Sequence, residues 1–441
     1  MTSPALRKRR YAPLSDYQHR MLSAALDPDT PDAFHQDQTI SWALKVTPGV
    51  SSRTLRRAFD KLVERHDSLR LRITQISTGW HAEILPEHAS GLLVEDLGDM
   101  SDERQQAAVM SFCEVPLTAL SERMFDMRLL KFGGAGDVIL ARIHHAIIDG
   151  YSVALLLEEL LKHVLSMPVT DVPLSHVDFI AYRRNQLDEN ASAKDEFWRK
   201  ALLPLPKRLP VGRQAKGLPP LSTRNTGPTN TLRNFLKPQT VALIKALAKA
   251  TEVSPFCHLY AAFCEALCAQ AGQDRVLVHS ILGRRNAAVA SFIGAEMLLL
   301  PIRYCKGAGP AWVSQQLAAS SEMVPTRAFC AETPTGRELQ AEDGDWYRFL
   351  VHIPTPTGRM SSSPFRKLFE GALEGKVSFG FVTLERLALP KTTETDFEAQ
   401  LNIYPAPSGL QASLIGDAAG WSTADLQGLA EEIEGHVRGY H

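Results

Sequence analysis

No run in this 441-residue sequence approaches the ~20 consecutive apolar residues of a membrane span, and its first residues lack the apolar core of a secretory signal. A cytosolic address with no membrane partner is therefore expected. Charge of one sign is equally scarce: 48 Lys and Arg stand against 49 Asp and Glu, for a net charge of -1. That balance removes the electrostatic case for nucleic acid or an anionic surface as the principal partner. The only basic run, Arg7 to Arg10, reads as part of a flexible, solvated tail over residues 1–12. Paired metal-binding cysteines are missing as well. The six cysteines include no CxxC pair, and Cys257, Cys264 and Cys268 follow one another at helical spacing, which predicts small buried hydrophobes and no metal.

What is present is ordinary globular material, 44% hydrophobic and 22% charged, in a chain too long for a single hydrophobic core. Two cores, or two intimately joined halves, are expected. The chain is organised around Ala141 to Val153, where two adjacent histidines close an apolar run, an Asp-Gly pair follows and a helical pattern begins. Asp137 to Ile143 is apolar and β-branched enough for a buried strand, and Ser152 to Leu165 has the period of a helix. His144 and His145 thus lie where a strand leaves the core, a place rigid enough to aim an imidazole.

The rest reads as alternating strands and helices. A serine-capped short helix is expected over Leu14 to Leu22 and a strand over Gln38 to Thr47. An amphipathic helix capped by Ser51 or Ser52 follows, with Leu55, Phe59, Leu62 and Val63 on its buried stripe. Gly133 to Gly136 is the expected turn of a hairpin joining Phe125–Phe132 to the histidine strand. Residues 203–228, rich in Pro, Gly and Lys, read as a long surface connection. A second α/β unit begins beyond it, with helices from Pro238 and about Ser254 and a buried strand over Asp274 to Leu282. Strands are expected at Tyr347 to Ile353, Val377 to Thr383, Phe397 to Tyr404 and Leu410 to Ile415, and a closing helix from Ser422.

His144, His145, Asp149 and Gly150 match the pattern HHxxxDG. Pro13 to Gln18 is similar to PLSxxQ, Arg65 to Arg70 to RHxxLR, and Gly283-Arg284 to a GR pair. Ile293-Gly294 leading into Leu298 to Arg303 is similar to IGxFxNTLPLR, with Glu296 and Met297 departing from it. In this order the motifs resemble the condensation domains of nonribosomal peptide synthesis, within the chloramphenicol acetyltransferase-like superfamily.

The resemblance implies an α/β fold of two chloramphenicol acetyltransferase-like lobes, residues 13–175 and 176–441, forming a V-shaped pseudo-dimer with a central tunnel. It implies acyl transfer from the phosphopantetheine thioester of an acyl or peptidyl carrier protein, supplied in trans, to a small-molecule amine or alcohol. The product is an amide or ester in natural-product biosynthesis, and no cofactor is bound covalently. No adenylate-forming signature and no carrier-attachment serine occur, so a free-standing, monomeric enzyme is expected. Two alternatives share the superfamily: an O-acyltransferase that uses acyl-CoA or offloads a polyketide, and a catalytically silent carrier-docking module. Docking members usually lose the histidines.

A neutral imidazole suits the proton transfer that acyl transfer needs, because its pKa lies near working pH. The resemblance assigns this role to His145, as base or at least as the group that orients the nucleophile. Backbone N–H groups near Gly150 and the following helix N-terminus would meet the oxyanion, with glycine leaving room for the acyl carbonyl. His144 is expected to be scaffold, its ring hydrogen-bonded to backbone. Asp149 is expected to hold the loop through an ion pair with an arginine, which the resemblance implies is Arg284, with Arg285 as the alternative.

Overall fold

The computed structural model describes residues 10–22, 39–86, 91–115, 117, 121–133, 136–169, 171–219, 227–283, 285–324, 326, 328–329, 333–341, 348–353, 363–368, 375–387, 389, 394–395, 397–406 and 409–440. The chain divides into two compact α/β units. One comprises Met1–Tyr182, Gly283–Met297 and Thr355–Lys391; the other comprises Arg183–Leu282, Leu298–Pro354 and Thr392–His441.

The first unit is built on a six-stranded sheet in the order Lys376–Phe379, Val382–Arg386, Thr39–Thr47, Asp137–His144, Phe125–Lys131, Leu93–Asp96. Neighbours are antiparallel except the last pair. The histidine strand is buried at almost every position because both faces of the sheet are covered. Ile139, Ala141 and Ile143 enter the main core with helices Ser52–Arg65 and Gly150–Val164, while Val138 and Leu140 pack on the other face against Val109 and Phe112 of helix Asp102–Cys113. The hairpin expected before the histidines is present, with Phe125–Lys131 paired antiparallel to Asp137–His144. Ser51 caps the amphipathic helix through the Thr54 N–H, and the expected stripe is its buried face.

The second unit carries a seven-stranded mixed sheet in the order Met297–Cys305, Arg275–Gly283, Phe349–His352, Ala399–Ala406, Gly409–Asp417, Gly227–Leu232, Glu394–Thr395. One face, including Phe349, Val351, Leu401, Ile403 and Leu414, packs against helices Pro255–Ala271 and Thr423–Arg438. Every residue from Cys257 to Cys268 is buried. Burial pushes the Cys257 thiol up, Cys268 to about 12 and Cys264 well above the ordinary value, so these cysteines are core hydrophobes with no thiolate chemistry near neutral pH.

Several expectations need correction. The boundary at residues 175/176 does not divide the chain, because two later segments return to the first unit. Residues 355–391 belong there since Val382–Arg386 pairs antiparallel with Thr39–Thr47. The single strand expected at Val377 to Thr383 is a hairpin that turns at Gly380, whose φ of +60° favours glycine. The tail also ends earlier than residue 12: Arg10–Pro13 is a strand paired antiparallel with Gly79–Ile84. Residues 203–228 are not wholly a surface connection, because Leu209 and Val211 enter the core of the second unit and Arg213 pairs with Asp417 at 2.8 Å. No helix among the described residues is long and apolar enough to cross a membrane.

Candidate active site

The histidine strand ends at His144, and a single turn of 3-10 helix, His145–Ile147, carries the chain to Asp149. The two adjacent rings then differ sharply. His144 is 1% exposed, its Nδ1 accepts the Ala146 N–H at 3.1 Å, and its backbone N–H donates to the Met124 carbonyl at 2.9 Å. Burial, and secondarily the charge of His145, push its pKa down to about 3, so it stays neutral. His145 is half-buried instead, with Nδ1 3.0 Å from the hydroxyl of Tyr17.

Tyr17 comes from the opening motif. Helix Asp16–Leu22 starts with a reciprocal cap in which the Ser15 N–H donates to Gln18 Oε1 at 2.9 Å and the Gln18 N–H donates to Ser15 Oγ at 3.1 Å. Gln18 Nε2 then donates to the Ala146 carbonyl at 3.2 Å, which fastens this helix to the histidine turn. The glutamine of PLSxxQ is thus a brace, and the tyrosine beside it reaches the imidazole.

Helix Gly150–Val164 begins directly after Asp149, which caps it: Oδ1 accepts the Ser152 N–H at 2.8 Å. Its other oxygen accepts from Arg285 Nη2 at 2.9 Å and from the Glu296 N–H at 3.0 Å. The pair is buried, with side chains 4% and 3% exposed for Asp149 and Arg285. The arginine that reaches Asp149 is therefore the second of the two, and Arg284 lies outside the described residues. Pairing with the first or the second arginine depends on where the chain turns after strand Arg275–Gly283, which residue type does not encode.

Arg285 and Ser152 together latch the segment Gly283–Met297 to this helix. Arg285 also donates to the Gly294, Val289 and Phe292 carbonyls, and its guanidinium lies 4.4 Å over the Tyr151 ring. Ser152 Oγ donates to the Gly294 carbonyl at 2.8 Å and accepts from the Gly294 N–H at 3.0 Å and Arg285 Nη2 at 2.7 Å. A Cβ at Gly294 would collide with the Phe292 ring, so glycine is required there. Glu296 contributes its backbone N–H, which explains why an unusual side chain is compatible with this frame. Ser152 escaped the sequence reading because only its contacts distinguish it from any serine in the first turn of a helix.

The RHxxLR stretch supports the same helix from behind. His66 Nε2 lies 2.8 Å from Glu159 Oε2, and Arg65 Nε donates to that oxygen at 3.1 Å. Burial alone would raise the Glu159 carboxyl, but the hydrogen bond and charge of His66 and the charge of Arg65 hold it below the ordinary 4.5. His176, 3% exposed and stacked against Phe292, has no hydrogen-bond partner for either ring nitrogen among the described residues, and burial pushes it down to about 4.

Gly150 is exposed, and a Cβ built on it would meet nothing within 4 Å. The fold itself therefore sets no steric demand for glycine there. An exposed helix N-terminus next to a half-buried imidazole is an arrangement that can accept a proton on one side and stabilise an oxyanion on the other. Among the described residues, no group of three or more His, Cys, Asp or Glu is placed to hold a metal ion.

A sequence model of the condensation-domain family matches residues 8–307. One of the large proteins of the linear gramicidin synthase of Brevibacillus parabrevis is 28% identical over 277 residues, 59% of this chain, and the matched part is only 4% of that protein's length. Among solved structures, SgcC5 from Streptomyces globisporus, in complex with (R)-(-)-1-(2-naphthyl)-1,2-ethanediol and sucrose, is similar with a TM-score of 0.71 at 20% identity, covering 97% of this chain and 98% of that one. The X-domain from teicoplanin biosynthesis is similar with a TM-score of 0.75 at 15% identity, covering 100% and 96%. The α/β architecture is accordingly the chloramphenicol acetyltransferase-like fold of these proteins.

Proposed function

Because the chain belongs to the condensation-domain family, we propose that it is an acyltransferase that joins an acyl thioester to an amine or hydroxyl, with His145 as the base. The observation that carries this reading is the contrast between the two rings. His144 is sealed in the core with its Nδ1 occupied, whereas His145 is half-buried beside an exposed glycine at a helix N-terminus.

In this mechanism the attacking N–H or O–H gives its proton to Nε2 of His145 as its nitrogen or oxygen bonds to the thioester carbon. Backbone N–H donors at the start of helix Gly150–Val164 meet the oxyanion. As the C–S bond breaks, the imidazolium returns the proton to the departing sulfur, and the ring is neutral again. A thioester already has a good leaving group, so no covalent enzyme intermediate is needed. Asp149, committed to Ser152, Arg285 and Glu296, holds the loop and does not relay the proton.

The donor is an acyl group on the phosphopantetheine arm of a carrier protein, a reading supported by the family and by likeness to a gramicidin synthase. The acceptor is an amine or a hydroxyl, and the diol held by SgcC5 favours a hydroxyl. A silent docking module is the second reading, favoured by the likeness to the teicoplanin X-domain and opposed by the retained histidine pair.

The test is single-turnover transfer of one acyl group, offered as carrier thioester and as CoA thioester, to an amine and an alcohol. Product should form from the carrier thioester and fall about 10²- to 10⁴-fold in His145→Ala. Undiminished product in that variant refutes the base role, and equal rates with CoA remove the carrier requirement. Tight carrier binding without product from any thioester makes the protein a docking module.

A further inference from the structure

A base acting through Nε2 must keep that nitrogen bare, so the single proton of the neutral ring has to sit on Nδ1. Something must hold it there. In HHxxxDG the one carboxylate is Asp149, and both its oxygens are engaged elsewhere. The group found at Nδ1 of His145 is the Tyr17 hydroxyl, at 3.0 Å.

Resting on the base role given above, we infer that Tyr17 is a positioning residue whose hydroxyl oxygen accepts the Nδ1–H of His145, fixing the tautomer that leaves Nε2 ready to take a proton. Tyr17 is well placed for this. It is 8% exposed, its ring lies 6.2 Å from the imidazole at a tilt of 48°, and the next residue, Gln18, ties the same helix to Ala146 at 3.2 Å. Two adjacent residues of one short helix therefore grip the histidine turn, one by its backbone and one by the ring itself.

The chemistry of the acceptor matters. A carboxylate at Nδ1 would favour the imidazolium and raise its pKa, tending to fill Nε2 before the substrate arrives. A neutral hydroxyl orients the ring without adding charge. When Nε2 takes the substrate proton, Nδ1–H remains bonded to Tyr17, so the ring keeps its aim through the transfer to sulfur. No covalent bond to Tyr17 forms or breaks.

The experiment uses the full chain with 15N-labelled histidine, and the His145 signal is assigned by its loss in His145→Gln. The intact protein should show His145 as the Nδ1–H tautomer. Tyr17→Phe keeps the ring and removes the oxygen; His145 should then shift toward the Nε2–H form usual for free histidine. In the acyl-transfer assay the same variant should lose about 10- to 100-fold in kcat with KM within about twofold, on the scale of a misaligned catalytic group. An Nε2–H tautomer in the intact protein overturns the inference, as does a tautomer unchanged in Tyr17→Phe or changed without a fall in kcat. The spectra need no activity, so a protein that transfers no acyl group defeats the enzymatic reading while the spectra still decide what Tyr17 does.

Discussion

Replacing Asp149 by asparagine is the sharpest test of how the histidine loop is held. Asparagine can keep the cap, with Oδ1 still accepting the Ser152 N–H. The second position becomes an NH₂ group facing two donors, Arg285 Nη2 and the Glu296 N–H, now at 2.9 and 3.0 Å from the carboxylate. Rotating the amide restores those contacts only by giving up the cap. Either way a guanidinium with a 3% exposed side chain loses its counter-charge. Stranding one member of a buried pair costs about 3–5 kcal/mol, which lowers the melting temperature by roughly 6–20 °C for a cooperative unit of 150–250 residues.

A double-mutant cycle isolates the cause. Arg285→Met also destabilises, since it abandons the Ser152 hydroxyl and three carbonyls. The double variant buries no unpaired charge, so it should be less destabilised than the two singles together, by about 1–3 kcal/mol. Urea midpoints of the four proteins give the coupling. A melting temperature within a degree of wild type in Asp149→Asn, or strictly additive single effects, would refute the structural role and return Asp149 to the proton path.

Gly150→Ala should fold with an unchanged or slightly higher melting temperature, because its Cβ meets nothing and alanine favours helix, yet lose acyl transfer about 10²-fold by crowding the oxyanion site; full activity would show that no carbonyl approaches there. Stability should also fall as pH drops below the ordinary histidine value of 6.5. His144 and His176, held at about 3 and about 4, stay neutral in the fold, whereas the unfolded chain takes up their protons. Unfolding therefore binds protons in this range, and each ring costs ~1.4 kcal/mol per pH unit until its folded value is reached. Urea midpoints between about pH 7.5 and about pH 5 would show the slope, and His176→Phe should reduce it; a flat profile contradicts the burial argument. Glu159, held below 4.5, contributes stability that is lost only in more acid solution, so its effect is separable.

Local patterning carried much of this architecture. The buried strand before the histidines, the glycine-rich hairpin and the cap at Ser51 are visible because apolar period and capping chemistry act within a few residues. The motif order likewise pointed to the family. What stayed hidden depends on pairing across long stretches of chain. Nothing around Arg10–Pro13 announces a strand until its partner, Gly79–Ile84, is in place. The return of Val382–Arg386 to the edge of Thr39–Thr47 follows from an open ladder, which composition does not record. In the site, the same difficulty left two arginines as candidates, and it concealed Tyr17 and Ser152, whose significance lies in the atoms they reach.

That returning hairpin bears on how the protein is made. On the ribosome, the first 182 residues emerge long before Lys376–Arg386, an interval of roughly 10–40 s at ordinary elongation rates. Throughout it, strand Thr39–Thr47 has a bare edge, and Asp149 awaits Arg285 for the earlier part of the delay. Nascent chains stalled short of residue 376 should be sticky, chaperone-dependent and readily cut by protease, and release of the finished hairpin should be the event that seals the histidine-bearing sheet.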